Sequence, residues 1–135
     1  MQHDIDSIGG IGPAFKTKFH KAGITTVEDL LTRARSPQGL SEVAKVGGFT
    51  EQAVKKWAGM ADLFRVAGIS TQWSELLSAC GVYSVRQLAT RNPKKLHKKM
   101  VDVNARKKLC KSVPHPQTLR NFIEQARELP KFNFI

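Results

Sequence analysis

The sequence lacks the residue groupings that most enzymes and membrane-spanning proteins show. It contains 2 cysteines and 4 histidines in 135 residues. Cys80 and Cys110 form no CxxC pair, and no histidine stands at metal-ligand spacing or beside paired carboxylates. No apolar run approaches the ~18 residues that cross a bilayer, and no secretory pattern opens the chain. We therefore expect an intracellular protein (cytoplasm and nucleoid, or nucleus) with free thiols, which is not an enzyme and uses no cofactor, metal or membrane.

Acidic side chains are also scarce. There are 11 Asp and Glu residues against 22 Lys and Arg residues, which gives a formal net charge of +11. Residues 1–60 carry 8 basic and 6 acidic side chains, whereas residues 61–135 carry 14 and 5. An excess of this size favours a polyanionic partner, and nucleic acid is the commonest one. Composition alone leaves a solvated basic protein as the alternative.

The positive charge is concentrated in residues 86–111, here called the basic segment. Against one acid, Asp102, it contains ten cations, which are Arg86, Arg91, Lys94, Lys95, Lys98, Lys99, Arg106, Lys107, Lys108 and Lys111. This ratio excludes balanced ion pairing, so a polyanion-binding surface is favoured over a solvated face. Because the segment has almost no aromatic side chain, backbone contacts to duplex DNA or structured RNA fit better than stacking on single strands. We predict that all ten except Arg86 and Arg91 bind phosphates.

A glycine-rich turn lies near the start of the chain, at residues 8–13, with three glycines in four positions followed by Pro13. Such a stretch predicts a sharp turn, and proline suits the first position of a helix. The spacing of Phe15 and Phe19 predicts a short amphipathic helix that ends near Gly23. A second helix should follow, capped by Thr26 and Asp29.

This order of elements, from Ile8 to Leu31, resembles the helix-hairpin-helix motif of DNA repair and recombination proteins. Members of that family hold one phosphate of a DNA strand through backbone amides, without reading bases. The resemblance implies that Gly10, Ile11 and Gly12 bind a phosphate, with Lys16 and Lys18 nearby. A hairpin that only crosses two helices is the alternative. Glycosylases of this class carry a catalytic aspartate beyond the hairpin, but the surroundings of Asp29 favour a helix cap.

The pattern recurs after 58 positions. Residues 10–12 then fall on Gly68, Ile69 and Ser70, and Phe15 falls on Trp73. A duplicated unit is indicated, which predicts an all-α fold of two tandem helix-hairpin-helix repeats, in a SAM-like double helix-hairpin-helix architecture packed as one compact unit. The predicted domains are 1–61, a strongly basic 62–130, and a tail 131–135 that either packs on the core or binds a partner. Gly68 and Ser70 become candidate phosphate-binding residues, with helix capping as the alternative for Ser70.

Two further helices are predicted in the second repeat, a short one from Asn104 to Lys111 and a final one from Gln117 to Leu129. Between them, Pro114 and Pro116 stand where a further hairpin would supply amides, so we expect no phosphate at that turn. Both tryptophans lie on apolar stripes and are predicted to be core residues. Tyr83 is a minor candidate for nucleic-acid contact.

Over nearly its whole length, the sequence is similar to an uncharacterised family of bacterial, archaeal and algal helix-hairpin-helix-like proteins, known chiefly as a domain of unknown function. The stretches that carry this resemblance are 11–14, 22–30, 60–65 and 91–93. The family implies a fold and no established activity. We therefore predict a non-catalytic module that binds the backbone phosphates of DNA, with duplex favoured over single strands, or of structured RNA. The alternative is a protein–protein interaction or oligomerisation adaptor whose hairpins are structural and whose tail contacts a protein partner.

Overall fold

The structure is a computed structural model, and it describes residues 3–132. Within that range the predicted all-α class is confirmed, because eight α-helices follow a 3-10 turn at Ile5–Ser7. The helices are α1 Pro13–Lys21, α2 Val27–Ala34, α3 Pro37–Gly47, α4 Glu51–Leu63, α5 Thr71–Ala79, α6 Val85–Ala89, α7 Pro93–Lys107 and α8 Pro116–Glu128.

Contacts divide the described chain into two compact units, residues 3–62 and residues 63–132, here called the N-terminal and C-terminal units. Of the predicted tail, Lys131 and Phe132 belong to the C-terminal unit, and the Phe132 ring stacks on the Arg65 guanidinium at 4.3 Å. Residues 133–135 lie outside the described residues.

Four aromatic side chains form the centre of the N-terminal unit. Phe19 is fully buried, and its ring centroid lies 4.8 Å from that of Phe49 and 5.5 Å from that of Trp57. Phe15 completes the group, 5.6 Å from Phe49 and 5.5 Å from Trp57. The helical spacing of Phe15 and Phe19 places both rings on the inner side of α1, where tilted and edge-to-face packing is favourable.

In the C-terminal unit, α6 and α7 pack against α8, and α5 packs against α7. Fully buried side chains of this core include Leu76, Leu77, Leu88, Met100, Leu119 and Ile123. Trp73 lies at the edge of the core, with its ring centroid 5.8 Å from that of Phe122. Its indole N–H donates to the Ser112 carbonyl oxygen at 3.0 Å, so the polar end of this side chain is satisfied.

The predicted cap of α2 is confirmed. The Asp29 N–H donates to Thr26 Oγ1 at 3.0 Å, and the Thr26 N–H donates to Asp29 Oδ2 at 3.1 Å, which is a capping box. The Thr25 N–H and hydroxyl also donate to Asp29 Oδ2, each at 3.1 Å. Asp29 therefore holds the first turn of α2.

Replacing Asp29 with alanine is expected to lower the free energy of unfolding by about 1 kcal/mol at pH 7. Hydrogen bonds, first from the Thr25 backbone N–H, hold the pKa of Asp29 below its ordinary value. A carboxyl group whose pKa is lowered by folding stabilises the folded state fully above the unfolded-state pKa of about 4. That contribution is lost as the pH falls through the lowered folded-state pKa. Urea unfolding at pH 7 and at acid pH should show the wild-type advantage shrinking below about pH 4. Thr26→Ala keeps the Asp29 carboxylate and its hydrogen bonds from Thr25, so its destabilisation should depend less on pH than that of the alanine variant at Asp29.

One of the predicted helices is wrong. α7 is one continuous 15-residue helix through Lys107, and no separate helix runs from Asn104 to Lys111. The apolar positions Leu96, Met100 and Val103 keep one period, and no glycine or proline interrupts them. The helix ends at Lys108, a left-handed residue with φ +51°.

The loop after α7 is held by the Asn104 side chain. Asn104 Oδ1 accepts from the Cys110 N–H at 3.0 Å, and Asn104 Nδ2 donates to the Cys110 carbonyl oxygen at 3.0 Å. The Asn104 side-chain amide thus makes with Cys110 the two hydrogen bonds that another backbone segment would make. Helical periodicity does not reveal such side-chain pairing, which is why the sequence pattern predicted a separate helix that continues to Lys111.

Candidate nucleic-acid interface

The glycine-rich turn before α1 is closed by one backbone hydrogen bond, from the Ile11 N–H to the Ile8 carbonyl oxygen at 3.2 Å. Gly10 occupies the third position of this turn with φ +90°, a conformation that side chains with a Cβ rarely adopt. Ile8 and Ile11 are buried. This corrects one predicted role, because the Ile11 amide is used inside the turn and Ile11 contributes packing.

Other amides at this turn have no partner among residues 3–132. They are the backbone N–H groups of Gly10, Gly12, Ala14 and Phe15. Gly12 is the N-cap of α1 and has no side chain to satisfy the first turn of the helix. Unpaired donors at the positive end of a helix dipole form an anion-binding arrangement.

The two lysines predicted beside this turn have different surroundings. Lys16 Nζ lies 3.4 Å from the Asp4 carboxylate and 3.3 Å from that of Asp6, and the hydrogen bond to Asp6 raises the pKa of Lys16. Lys18 Nζ lies over the Phe15 ring, 5.6 Å from its centroid, and pairs with no described carboxylate. Lys18 is therefore the ammonium group left for an external anion.

The corresponding turn of the C-terminal unit has the same closing hydrogen bond and, in addition, a side chain that caps its helix. The Ile69 N–H donates to the Val66 carbonyl oxygen at 3.3 Å, and Gly68 has φ +98°. A Cβ on Gly68 would lie 3.0 Å from the Phe122 ring, so packing also favours glycine there. Ser70 Oγ accepts the Trp73 N–H at 3.2 Å, which fulfils the capping alternative and removes one donor that an anion would need.

The basic segment covers α6, α7 and the loop after α7. All ten of its cations except the half-buried Arg91 are exposed, because Leu96, Met100 and Val103 turn the opposite face of α7 into the core. Arg91 Nη2 donates to the Gly81 carbonyl oxygen at 3.2 Å. Within residues 3–132, no carboxylate lies at ion-pair distance from any of the ten.

The start of α7 violates the usual charge preference of helices. Lys94 and Lys95 stand in its first turn, where no acidic residue is present. A cation at the positive end of the helix dipole costs roughly 0.3–1 kcal/mol. A bound polyanion would relieve this repulsion, so the helix favours a negatively charged partner.

No group of three or more His, Cys, Asp or Glu side chains could hold a metal ion in residues 3–132. Cys80 is buried and Cys110 is half-buried, and burial raises the pKa of both thiols, which disfavours reactive thiolates.

Within residues 3–132, no helix combines the length and apolarity that crossing a membrane requires. Tyr83 is exposed, as anticipated.

Nothing in the sequence indicated that the indole N–H of Trp57 would be unpaired. Trp57 packs in the aromatic group as predicted, but its indole N–H has no hydrogen-bond partner among the described residues. No periodic or motif signal separates a satisfied indole from an unsatisfied one, because the partner of Trp73 is a carbonyl 39 residues away.

The profile of one protein family matches residues 9–129 of this chain. The chain belongs to the DUF4332 family, a domain of unknown function. The predicted membership of an uncharacterised family is confirmed. Searches of the curated proteins and of the solved structures find no significant match to this DUF4332 chain.

Proposed function

We propose that this DUF4332 chain is a non-catalytic nucleic-acid-binding module that contacts the backbone phosphates of duplex DNA. The observation that carries the proposal is the basic segment, in which every cation except Arg91 is exposed and none lies at ion-pair distance from a carboxylate of residues 3–132. Phosphate contacts of this kind give affinity without sequence specificity.

The shape of the segment favours a duplex over a single strand. α7 has 15 residues, so it is about 22 Å long at 1.5 Å per residue. A duplex presents one charge per roughly 1.7 Å of its axis, and a straight helix can follow such a regular array. No aromatic side chain interrupts the basic segment, so stacking on unpaired bases has no platform there.

We further propose that the two units are tandem helix-hairpin-helix repeats. In support, the turns around Gly10 and Gly68 have the same hydrogen bond and the same left-handed third residue. The loops after α1 and α5 also match. The Ile24 N–H donates to the Phe19 carbonyl oxygen at 2.9 Å, and the Val82 N–H donates to that of Leu77 at 2.9 Å.

A fluorescence-anisotropy titration tests the proposal. Labelled duplex DNA, single-stranded DNA and hairpin RNA of equal length are titrated with the chain at two salt concentrations. We expect saturable binding that is tightest for duplex DNA and falls steeply with salt. Equal, salt-insensitive binding to all three, or none at low salt, would contradict phosphate recognition and leave the adaptor alternative. A preference for hairpin RNA would transfer the function to structured RNA.

The glycine turn supports a second phosphate contact, which Gly12→Ser tests. A serine at this N-cap should accept the Phe15 N–H, as Ser70 accepts the Trp73 N–H. An added Cβ at Gly12 meets no atom within 4 Å, so we expect thermal stability to be unchanged or slightly raised. Affinity for duplex DNA should fall about threefold, since one donor is lost.

Gly12→Ala is the matched control for this variant. It adds the Cβ without an acceptor, so the amides stay available and DNA affinity should remain close to wild type. If the serine variant binds DNA as tightly as the alanine variant, the Phe15 amide does not contact a phosphate.

A further inference from the structure

The indole N–H of Trp57 is an unused donor beside the glycine turn. The side chain is 9% exposed, so it is more than nine-tenths buried. Its nitrogen has no hydrogen-bond partner among residues 3–132. Among the described residues, Ser78 Oγ and Arg91 Nε are the polar side-chain atoms that have neither solvent access nor a hydrogen-bond partner. Trp57 Nε1 is not one of them, so it is accessible to solvent.

The position of Gly10 shows where this N–H lies. A Cβ on Gly10 would stand 3.8 Å from Trp57 Nε1 and would meet nothing else within 4 Å. The space beside Gly10 is therefore open and has the indole nitrogen on one side. The Trp57 ring also packs on Phe15 at 5.5 Å, and Phe15 carries one of the unpaired amides of α1. The indole and the backbone donors thus adjoin the same turn.

The Trp57 indole N–H has no hydrogen-bond partner within the described residues, whereas that of the second tryptophan is satisfied inside the protein. Trp73 donates to Ser112. The two glycine turns differ in the same sense. Ser70 caps the helix that contains Trp73, whereas Gly12, at the turn beside Trp57, has no side chain to cap its helix.

We infer that the Trp57 indole N–H is a binding donor for a phosphate oxygen at the Gly10–Gly12 turn, together with the amides of Gly12 and Phe15. The inference rests on the proposed phosphate contact at this turn and adds a side-chain donor to it. Lys18 adds an ammonium group without a carboxylate partner, 5.6 Å from the Phe15 ring centroid, since Lys16 is paired with Asp4 and Asp6.

Indole NMR signals test this directly, because the chain has 2 tryptophans. A 1H–15N spectrum of the full chain shows one indole cross-peak from each, and Trp57→Phe assigns them. We expect inorganic phosphate, and separately a short DNA duplex, to shift the Trp57 peak saturably. The phosphate titration should leave the Trp73 peak in place, because its N–H is already bonded.

Trp57→Phe also gives an affinity readout. Phenylalanine keeps an aromatic ring against Phe19 and Phe49 while removing the donor, and circular dichroism checks that the fold is retained. Phosphate affinity should fall about fivefold. Trp73→Phe is the matched control and should leave it unchanged.

The outcomes separate this inference from the proposed function. Backbone amides of Gly12 and Phe15 that shift with phosphate while the Trp57 peak stays fixed would overturn the inference. So would the absence of any phosphate-induced shift at the turn. A Trp57 shift with phosphate in a chain that does not bind duplex DNA would support the anion site and overturn the DNA function.

Discussion

Replacing Lys98, Lys99, Lys107 and Lys108 with glutamate is expected to abolish binding to duplex DNA while leaving helicity intact. All four are exposed and have no carboxylate partner within the described residues. Each phosphate contact contributes about 0.9 to the slope of log affinity against log salt. Loss of four contacts should lower the slope by about 3 to 4 and weaken binding by at least ~100-fold at low salt. Anisotropy titration at several salt concentrations measures both quantities.

A charge-matched variant controls for net charge. Lys21, Lys45, Lys55 and Lys56 are exposed lysines of the N-terminal unit, and changing these four to glutamate alters the net charge by the same amount. We expect this control to keep most of the affinity, because every cation of the basic segment is retained. Equal losses in both variants would show that net charge, and not the basic segment, drives binding. Unchanged affinity in the first variant would remove the basic segment from the interface.

Replacing Phe19 with alanine is expected to lower the free energy of unfolding of the N-terminal unit by about 3–5 kcal/mol. Phe19 is fully buried and packs on Phe49 and Trp57, so truncation removes apolar burial and leaves a cavity among rigid rings. Domains are stable by only about 5–15 kcal/mol, so this loss should unfold much of the unit. Trp57 fluorescence in a Trp73→Phe background reports this unit during urea unfolding.

Val46→Ala is the control for this truncation. Val46 belongs to the same unit but is 50% exposed, so its truncation should change stability by less than about 0.5 kcal/mol. If Phe19→Ala also costs less than ~1 kcal/mol, the aromatic group does not hold the unit together.

Local signals predicted the helices well. Pro13 begins α1, Thr26 and Asp29 cap α2, and the apolar spacing of α8 places Phe122 and Ile123 in the core. These features depend on residues three or four positions apart, whose geometry is set within one helical turn. The one helix that was wrong, Asn104 to Lys111, failed because a side chain competes with the backbone there.

The candidate site also has some features that could be predicted from the sequence and others that could not. Exposure of the basic segment could be predicted, because ten cations and one carboxylate in a short stretch cannot all be buried or paired. The partners of individual groups could not be predicted. Lys16 meets Asp4 and Asp6, and Ile11 donates within its own turn, whereas the motif resemblance implied that both are available to a phosphate.

By itself, then, the sequence determined the all-α class, the helix caps, the family and the location of the positive charge. Tertiary structure alone decided which donors remain unpaired. The turns at Gly10 and Gly68 have the same backbone bond, yet the Trp73 indole N–H reaches the Ser112 carbonyl oxygen, whereas the Trp57 indole N–H has no partner among residues 3–132. The physical reason is range: caps and periodicity are contacts within a helical turn, whereas the pairing of an indole depends on which distant carbonyl folding brings within about 3 Å.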